Sequence, residues 1–385
     1  MDHILRCHDI VKASFVRGEN CSLYDEKGKR YVDFESGIWC TALGHGHPRI
    51  NQAMETQIQK IVHLGTRYPH SLSEKTAQEI LNITGIDDGK CTFLSSGSEA
   101  VEFGVRIARC ISDKPFFLTF SASYLAAYGS AGKKSADEWI LLDWNDGDGK
   151  DDVNLLKRMP FEKIGGFVLE PGGSGSGFVK FPPKKLVDTL TRQIKQNAGL
   201  LVVNEVTTGL GRTGKWFGFQ HYDIQPDIVA IGKGIGNGYP VSAVAMTRDI
   251  AEIFENSGPY YAQSHQNDPL GCSVAKEVIA IMREENWIEK GNAIGAYFFE
   301  GLKRLEKRYD IIKEARGRGL LLALEFHPHD RITAAWLYQA LFQRGFIVGY
   351  YEAGNILRFD PALTIDKEDI DRVLECLNAI IEKAG

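Results

Sequence analysis

The sequence predicts an α/β fold: a largely parallel sheet covered by helices on both faces, joined to a smaller α+β domain. Three observations carry that prediction. Short apolar runs recur through the middle of the chain, each ending in polar or glycine residues. Helical stretches separate those runs. After about residue 276 the rhythm changes to a long helix, two strand-like runs and a closing amphipathic helix. With 385 residues the chain holds roughly two domains or one large domain with an appendage. A composition of 43% hydrophobic and 25% charged residues suits a large buried core and argues against disorder.

Taken in order, the stretch LYDEKGKRYVDFES reads as a hairpin turning at Glu26-Lys27-Gly28-Lys29. A helix follows from Arg49 onward, with Ile50, Met54, Ile58 and Ile61 at helical spacing. The buried strands are CTFL, PFFLTF, EWILLDW, GGFVLEP, GLLVVNEV and DIVAIGKG. Helices from Val101 to Ile111 and from Pro183 to Gln196 lie between them. Ligands of such sheets sit beyond the carboxyl ends of the strands, which sets Ser98, Tyr124, Glu170, Asn204 and Lys233 along one rim. The later helix carries Ile288, Ile294, Phe298, Leu302 and Leu305. GLLLALEF and GFIVGYY then read as strands, and Ile370, Val373, Leu377 and Ile381 line one side of the last helix.

The formal charge of -5, from 45 Lys plus Arg against 50 Asp plus Glu, is too mild for the basic face that nucleic acid requires. Seven scattered cysteines form no Cys-x-x-Cys pair and read as reduced thiols. Asp2, His3, Arg6 and Asp9 interrupt any signal-peptide core, and no apolar run is long enough for a membrane span. The expectation is a soluble cytoplasmic protein with neither a nucleic-acid nor a membrane partner.

Several motifs taken singly carry little. Gly232-Lys233-Gly234 alone is a solvated lysine in a glycine loop, and Ser96-Gly97-Ser98 alone is a serine helix cap. His45 and His47 lack a third metal ligand nearby and read as part of a turn. Gly232-x-Gly234-x-Gly236 departs from the dinucleotide fingerprint, and Gly211-Arg212-Thr213-Gly214-Lys215 lacks the Ser or Thr of a P-loop. No metal is expected.

Order changes the weight of these pieces. In VNEVTTGLGRTGKWFGFQHYDIQPDIVAIGKGIGNGYP, a strand end precedes Gly-Arg-Thr-Gly, then Pro-Asp-Ile-Val, then a lysine among glycines. This sequence resembles the class III aminotransferases, pyridoxal 5'-phosphate (PLP) enzymes of the aspartate-aminotransferase fold. The likeness extends from Leu43-Gly44-His45-Gly46-His47-Pro48 to Leu357-Arg358-Phe359. It implies a seven-stranded-type sheet in a large domain over 48–276, with 1–47 and 277–385 forming the small domain.

The resemblance also implies roles. Lys233 binds PLP as a Schiff base, for which it must shed its proton. Gly97 and Ser98 form the phosphate cup, Tyr124 stacks on the ring, and Asn204, Val206 and Thr207 line the cofactor. Ser264 stands where the family has a threonine reaching the phosphate of the neighbouring subunit, so a homodimer with a shared site is expected. Arg358 takes the substrate carboxylate through its guanidinium fork, and Trp39 is a second substrate-binding residue.

Departures from the family pattern are equally specific. Asn204 replaces an aspartate, Thr207 a glutamine, and Leu125-Ala126 a His-Gly pair; Gly175 stands where a glutamate usually holds the arginine, and Ala127 where acetylornithine-type enzymes keep an arginine. The implied activity is transfer of an amino group from an amine or amino acid to a 2-oxo acid. A PLP racemase, epimerase or decarboxylase is the alternative on the same fold, as is a PLP-binding protein without turnover.

Overall fold

The computed structural model describes residues 3–8, 10, 11, 13–144, 156, 158–173 and 177–384. Near the N-terminus β1 (Phe15–Glu19), β2 (Ser22–Asp25) and β3 (Arg30–Asp33) form an antiparallel meander. The turn after β2 is fixed by Asp25, whose Oδ1 accepts from the backbone N–H groups of Lys27 and Lys29.

The central sheet has seven strands: β4 (Lys90–Leu94), β5 (Phe116–Phe120), β6 (Trp139–Leu142), β7 (Ile164–Leu169), β8 (Leu200–Asn204), β9 (Ile228–Ile231) and β10 (Ser242–Met246). Their spatial order is β4-β10-β9-β8-β7-β5-β6. Pairing from β9 through β8, β7 and β5 to β6 is parallel, whereas β10 runs antiparallel to both β9 and β4. β10 lies outside the apolar runs recognised in the sequence, because Ser242-Ala243-Val244-Ala245-Met246 is short and rich in small residues.

Both faces are buried, which is why the central strands read as continuous apolar runs rather than alternating ones. Val202, Ile228, Ala230 and Val244 join one core with Ala100, Val101 and Val105 of the helix Gly97–Ile111. Their chain neighbours Leu201, Val203, Val229, Ile231, Ala243 and Ala245 face the other, larger core.

The C-terminal part contributes β11 (Ile312–Arg318), β12 (Leu321–Phe326), β13 (Phe346–Ile347), β14 (Gly349–Tyr351) and β15 (Ile356–Phe359). β11, β12, β15 and β14 make an antiparallel sheet, while β13 pairs parallel with β3. The run GFIVGYY is therefore two strands, which part at Val348 to join different sheets. The helix Pro48–Ile58 stops short of Ile61, whose carbonyl accepts from the side-chain amide of Gln57. The helix Pro269–Glu284 passes through residue 276 without a break. Among the described residues, no helix is long and apolar enough to cross a membrane.

Candidate active site

The site lies beyond the carboxyl ends of β8 and β9. Lys233, two residues past β9, has φ +46°, a left-handed conformation that costs a bulky residue about 1–3 kcal/mol. Its Nζ donates to Thr207 Oγ1 at 2.7 Å and lies 4.7 Å from the ring centre of Trp39. Burial lowers the proton affinity of Lys233; the Arg358 charge pushes the same way, opposed by Cys40, Glu170 and Asp360. A lysine that loses its proton readily is a nucleophile towards an aldehyde.

Bare backbone gathers beside it. A Cβ on Gly97 would stand 2.5 Å from Cγ1 of Val206, and one on Gly232 would stand 3.1 Å from Cα of Gly97. Gly97 opens a 15-residue helix capped by Ser96, whose Oγ accepts from Glu99 N while Glu99 Oε2 accepts from Ser96 N. That cap engages the N–H of Glu99, leaving those of Gly97 and Ser98 at the positive helix end. Ser98 Oγ accepts from Ala127 N at 2.9 Å. Backbone donors at a helix start, unscreened by a Cβ, fit a phosphate, and a readily deprotonated lysine on the same rim fits an aldehyde. Together they fit the phosphorylated aldehyde PLP.

Asn204, at the end of β8, is 4% exposed. Its Oδ1 accepts from Val206 N and its Nδ2 donates to the carbonyl of Tyr124, both at 3.1 Å. The two partners require opposite ends of the amide, so they fix its orientation. Tyr124 is pinned from its other side as well, its N–H donating to Oε2 of the buried Glu170 at 3.0 Å. This doubly held backbone belongs to a residue that is 45% exposed.

Arg358 on β15 and Trp39 complete the group, with the guanidinium 4.4 Å from the indole centre. Trp39 belongs to an unusual turn in which Ser36, Gly37, Ile38 and Trp39 all have positive φ. Left-handed backbone costs a non-glycine residue roughly 1–2 kcal/mol, so the turn needs outside support. Asp33 supplies part of it, its carboxylate accepting from Glu35 N, Gly37 N and His45 Nε2. Arg212 supplies more: buried among β-strand ends, it donates to Ser36 Oγ and to the carbonyls of Leu320 and Pro361. The arginine of the Gly-Arg-Thr-Gly segment thus braces the turn that presents Trp39.

The structure therefore brings together Lys233, Thr207, Trp39 and Arg358, and gathers Gly97, Ser98, Val206, Asn204 and Tyr124 on the same rim. Ser264 is exposed in the turn 264–267. Gly175 lies outside the described residues. His45 Nε2 is hydrogen-bonded to Asp33, which supports the turn. Sequence reasoning missed Glu35, which meets Arg358 Nη2 at 3.4 Å. No motif marks it, because the contact joins residues 323 positions apart.

Comparison with known proteins gives this geometry its family. The chain matches the family Aminotransferase class-III over residues 6–127 and 141–381. It is 30% identical to the acetylornithine aminotransferase of Aquifex aeolicus, over 99% of this chain and all of that protein. It is also 26% identical to an alanine/serine racemase of Pyrococcus horikoshii, over 96% of this chain and 84% of that one. A solved Bacillus anthracis aminotransferase superposes with a TM-score of 0.90 at 26% identity, covering 99% of this chain and 96% of that one. By a family match that spans most of its length, the chain belongs to the class-III aminotransferases, enzymes that transfer amino groups with PLP.

Proposed function

We propose that Lys233 is the residue that holds PLP and moves the proton in an amine-to-2-oxo-acid transamination. The observation that carries this reading is the lysine itself: strained into a left-handed conformation, lowered in proton affinity by burial, and hydrogen-bonded to Thr207 beside the Gly97–Gly232 cradle. Gly97 and Ser98 would hold the phosphate with Val206 packed against Gly97, Tyr124 would stack on the cofactor ring and Asn204 would contact its nitrogen, and Thr207 accepts from Nζ. PLP supplies the electron sink. Arg358 and Trp39 would orient the substrate, and Nζ of Lys233 would take up and return the substrate proton.

We further propose a homodimer in which Ser264 reaches the partner's phosphate. The exposure of Ser264 in the turn 264–267 supports that reading. The large domain is assigned to 48–276 and the small one to 1–47 and 277–385, supported by the pairing of β13 with β3. Seven free cysteines support a reducing, cytoplasmic setting.

Borohydride treatment followed by peptide mapping tests the central claim, with the cofactor expected on Lys233; its recovery on another lysine overturns the assignment. An amine donor alone should convert the cofactor to its amine form, and pyruvate or 2-oxoglutarate should return it to the aldehyde. The racemase relative gives the second reading a specific basis. Chiral analysis of an amino acid incubated without any oxo acid separates the two: inversion without amino transfer supports racemisation.

A further inference from the structure

Arg358 is 8% exposed, yet its charge is thinly served. Nη2 meets Glu35 at 3.4 Å, long for a charge-assisted hydrogen bond, and Nη1 lies 3.8 Å from Asp360 Oδ2. Among the described residues, Nε and Nη1 have no hydrogen-bond partner. A buried guanidinium with idle N–H groups suits a planar two-oxygen anion. When such an anion arrives, three carboxylates surround one guanidinium: Glu35, Asp360 and the ligand. Like charges packed so closely favour protonation of one of them.

The surroundings decide which. Asp360 is 1% exposed, and burial raises its proton affinity as well, but three cations, Arg358, Arg212 and Lys233, oppose that rise. Glu35 has Arg358 as its cationic neighbour, and Asp360 and Asp33 add negative charge around it. The phenol of Tyr338, on the helix Ala334–Gln343, also faces Glu35. Burial pushes the Glu35 carboxyl up to about 7, with Arg358 opposing and Asp360 and Asp33 reinforcing. Its side chain keeps 23% exposure, so solvent can deliver a proton.

We propose that Glu35 is the counter-ion an incoming carboxylate displaces from Arg358, and that it takes one proton from solvent as it is displaced. The inference rests on the reading of Arg358 as the carboxylate fork. The two carboxylates compete for one guanidinium, and no bond other than that to the proton is made or broken. Ionised Glu35 competes above about pH 7 and protonated Glu35 competes little below it. Carboxylate affinity therefore falls as pH rises through that region, by up to tenfold per unit for a one-proton linkage. Ligands that carry only an amine escape this dependence, so Glu35 sets which substrates the site prefers as pH changes.

Calorimetry of the holoenzyme with isovalerate, an unreactive carboxylate, tests the idea at pH 8 in HEPES and in Tris. The difference in heat between buffers counts protons. Close to one proton per isovalerate is expected for the unmodified enzyme, and none for Glu35→Gln, whose Kd should stay flat from pH 6 to 9. Absence of proton uptake in the unmodified enzyme overturns the proposal without recourse to any variant. An unchanged pH slope in Glu35→Gln overturns it too. If Arg358→Met binds isovalerate as tightly as the parent, the fork reading itself fails; if Arg358→Met loses binding while the parent takes up no proton, only the role of Glu35 falls.

Discussion

Asn204 offers the sharpest test, because its environment is built for an amide. Replacing it with aspartate keeps an acceptor for Val206 N but sets a carboxylate oxygen about where Nδ2 now donates to the Tyr124 carbonyl, at 3.1 Å. Two acceptors then face each other at a position 4% exposed. An unsatisfied buried acceptor costs about 1–3 kcal/mol. With an unfolding entropy of about 2.1 cal/mol/K per residue over 385 residues, that corresponds to a fall in Tm of about 1–4 °C. The penalty has a sign in pH. Once protonated, the introduced carboxyl donates to Tyr124 as asparagine does, so its folded-state pKa is raised; stability is retained at low pH and lost as pH rises through that value.

Cofactor should reverse the balance. The introduced carboxylate, near a pyridinium about 4 Å away, gains on the order of 4 kcal/mol at an effective dielectric near 20, an upper guide that neighbouring dipoles reduce. Asn204→Asp should thus be less stable than the parent as apoprotein at pH 8, and should gain more Tm when PLP is added. Nitrogen-15 NMR of labelled PLP should show an unprotonated ring in the parent and a protonated one in the variant. A fully protonated ring in the parent at neutral pH, or an apo variant as stable as its parent at pH 8, refutes the reasoning.

Three further outcomes are expected. Arg358→Met should lower kcat/KM for carboxylate-bearing substrates by about 2–5 kcal/mol while simple amines lose little, and equal loss for both would remove its proposed role. Gly97→Ala forces a Cβ to 2.5 Å from Val206 and should cost about 1–3 kcal/mol of cofactor affinity, read by equilibrium dialysis as roughly 5-fold to 150-fold weaker binding. Thr207→Val removes the 2.7 Å acceptor of Nζ and so disfavours the charged lysine; the pH profile for capture of PLP by apoprotein should move to lower pH, and an unmoved profile denies Thr207 that function.

The parts of this molecule that can be read in the sequence are those set by local chemistry. Strands β7, β8 and β9 announce themselves because burial on both faces demands unbroken apolar runs, and Lys233 because it follows Gly-Arg-Thr-Gly and Pro-Asp-Ile-Val in order. The direction of β10 is not legible, since a strand of five small or apolar residues carries no mark of which neighbour it will pair with. The turn at Ser36–Trp39 shows the limit more clearly. Ile38 and Trp39 are among the last residues local preference would put at positive φ, and only Gly37 hints at it. What holds them is tertiary: the carboxylate of Asp33 from below and Arg212 from 176 positions away. Glu35 rides on the same turn, so its approach to Arg358 is hidden for the same reason.

That turn also links the two ends of the chemistry. Trp39 lies within 4.7 Å of Nζ of Lys233 and 4.4 Å of the Arg358 guanidinium, so one indole serves both the cation assigned to the cofactor and the cation assigned to the substrate. The Arg358 charge helps to hold Lys233 below its ordinary proton affinity. A carboxylate bound to Arg358 cancels part of that charge. Nζ then becomes a better proton acceptor once substrate is seated, which is when a base is needed, and a poorer one in the free enzyme, where an uncharged lysine is needed to hold the cofactor. Proton uptake by Glu35 limits this effect: the ligand then replaces one negative charge by another, whereas an ionised Glu35 left beside the ligand would raise the proton affinity of Nζ further. Strain in the backbone at Ser36–Trp39 is therefore spent on position: it fixes the indole, and through it the spacing on which the coupling between substrate charge and lysine basicity depends.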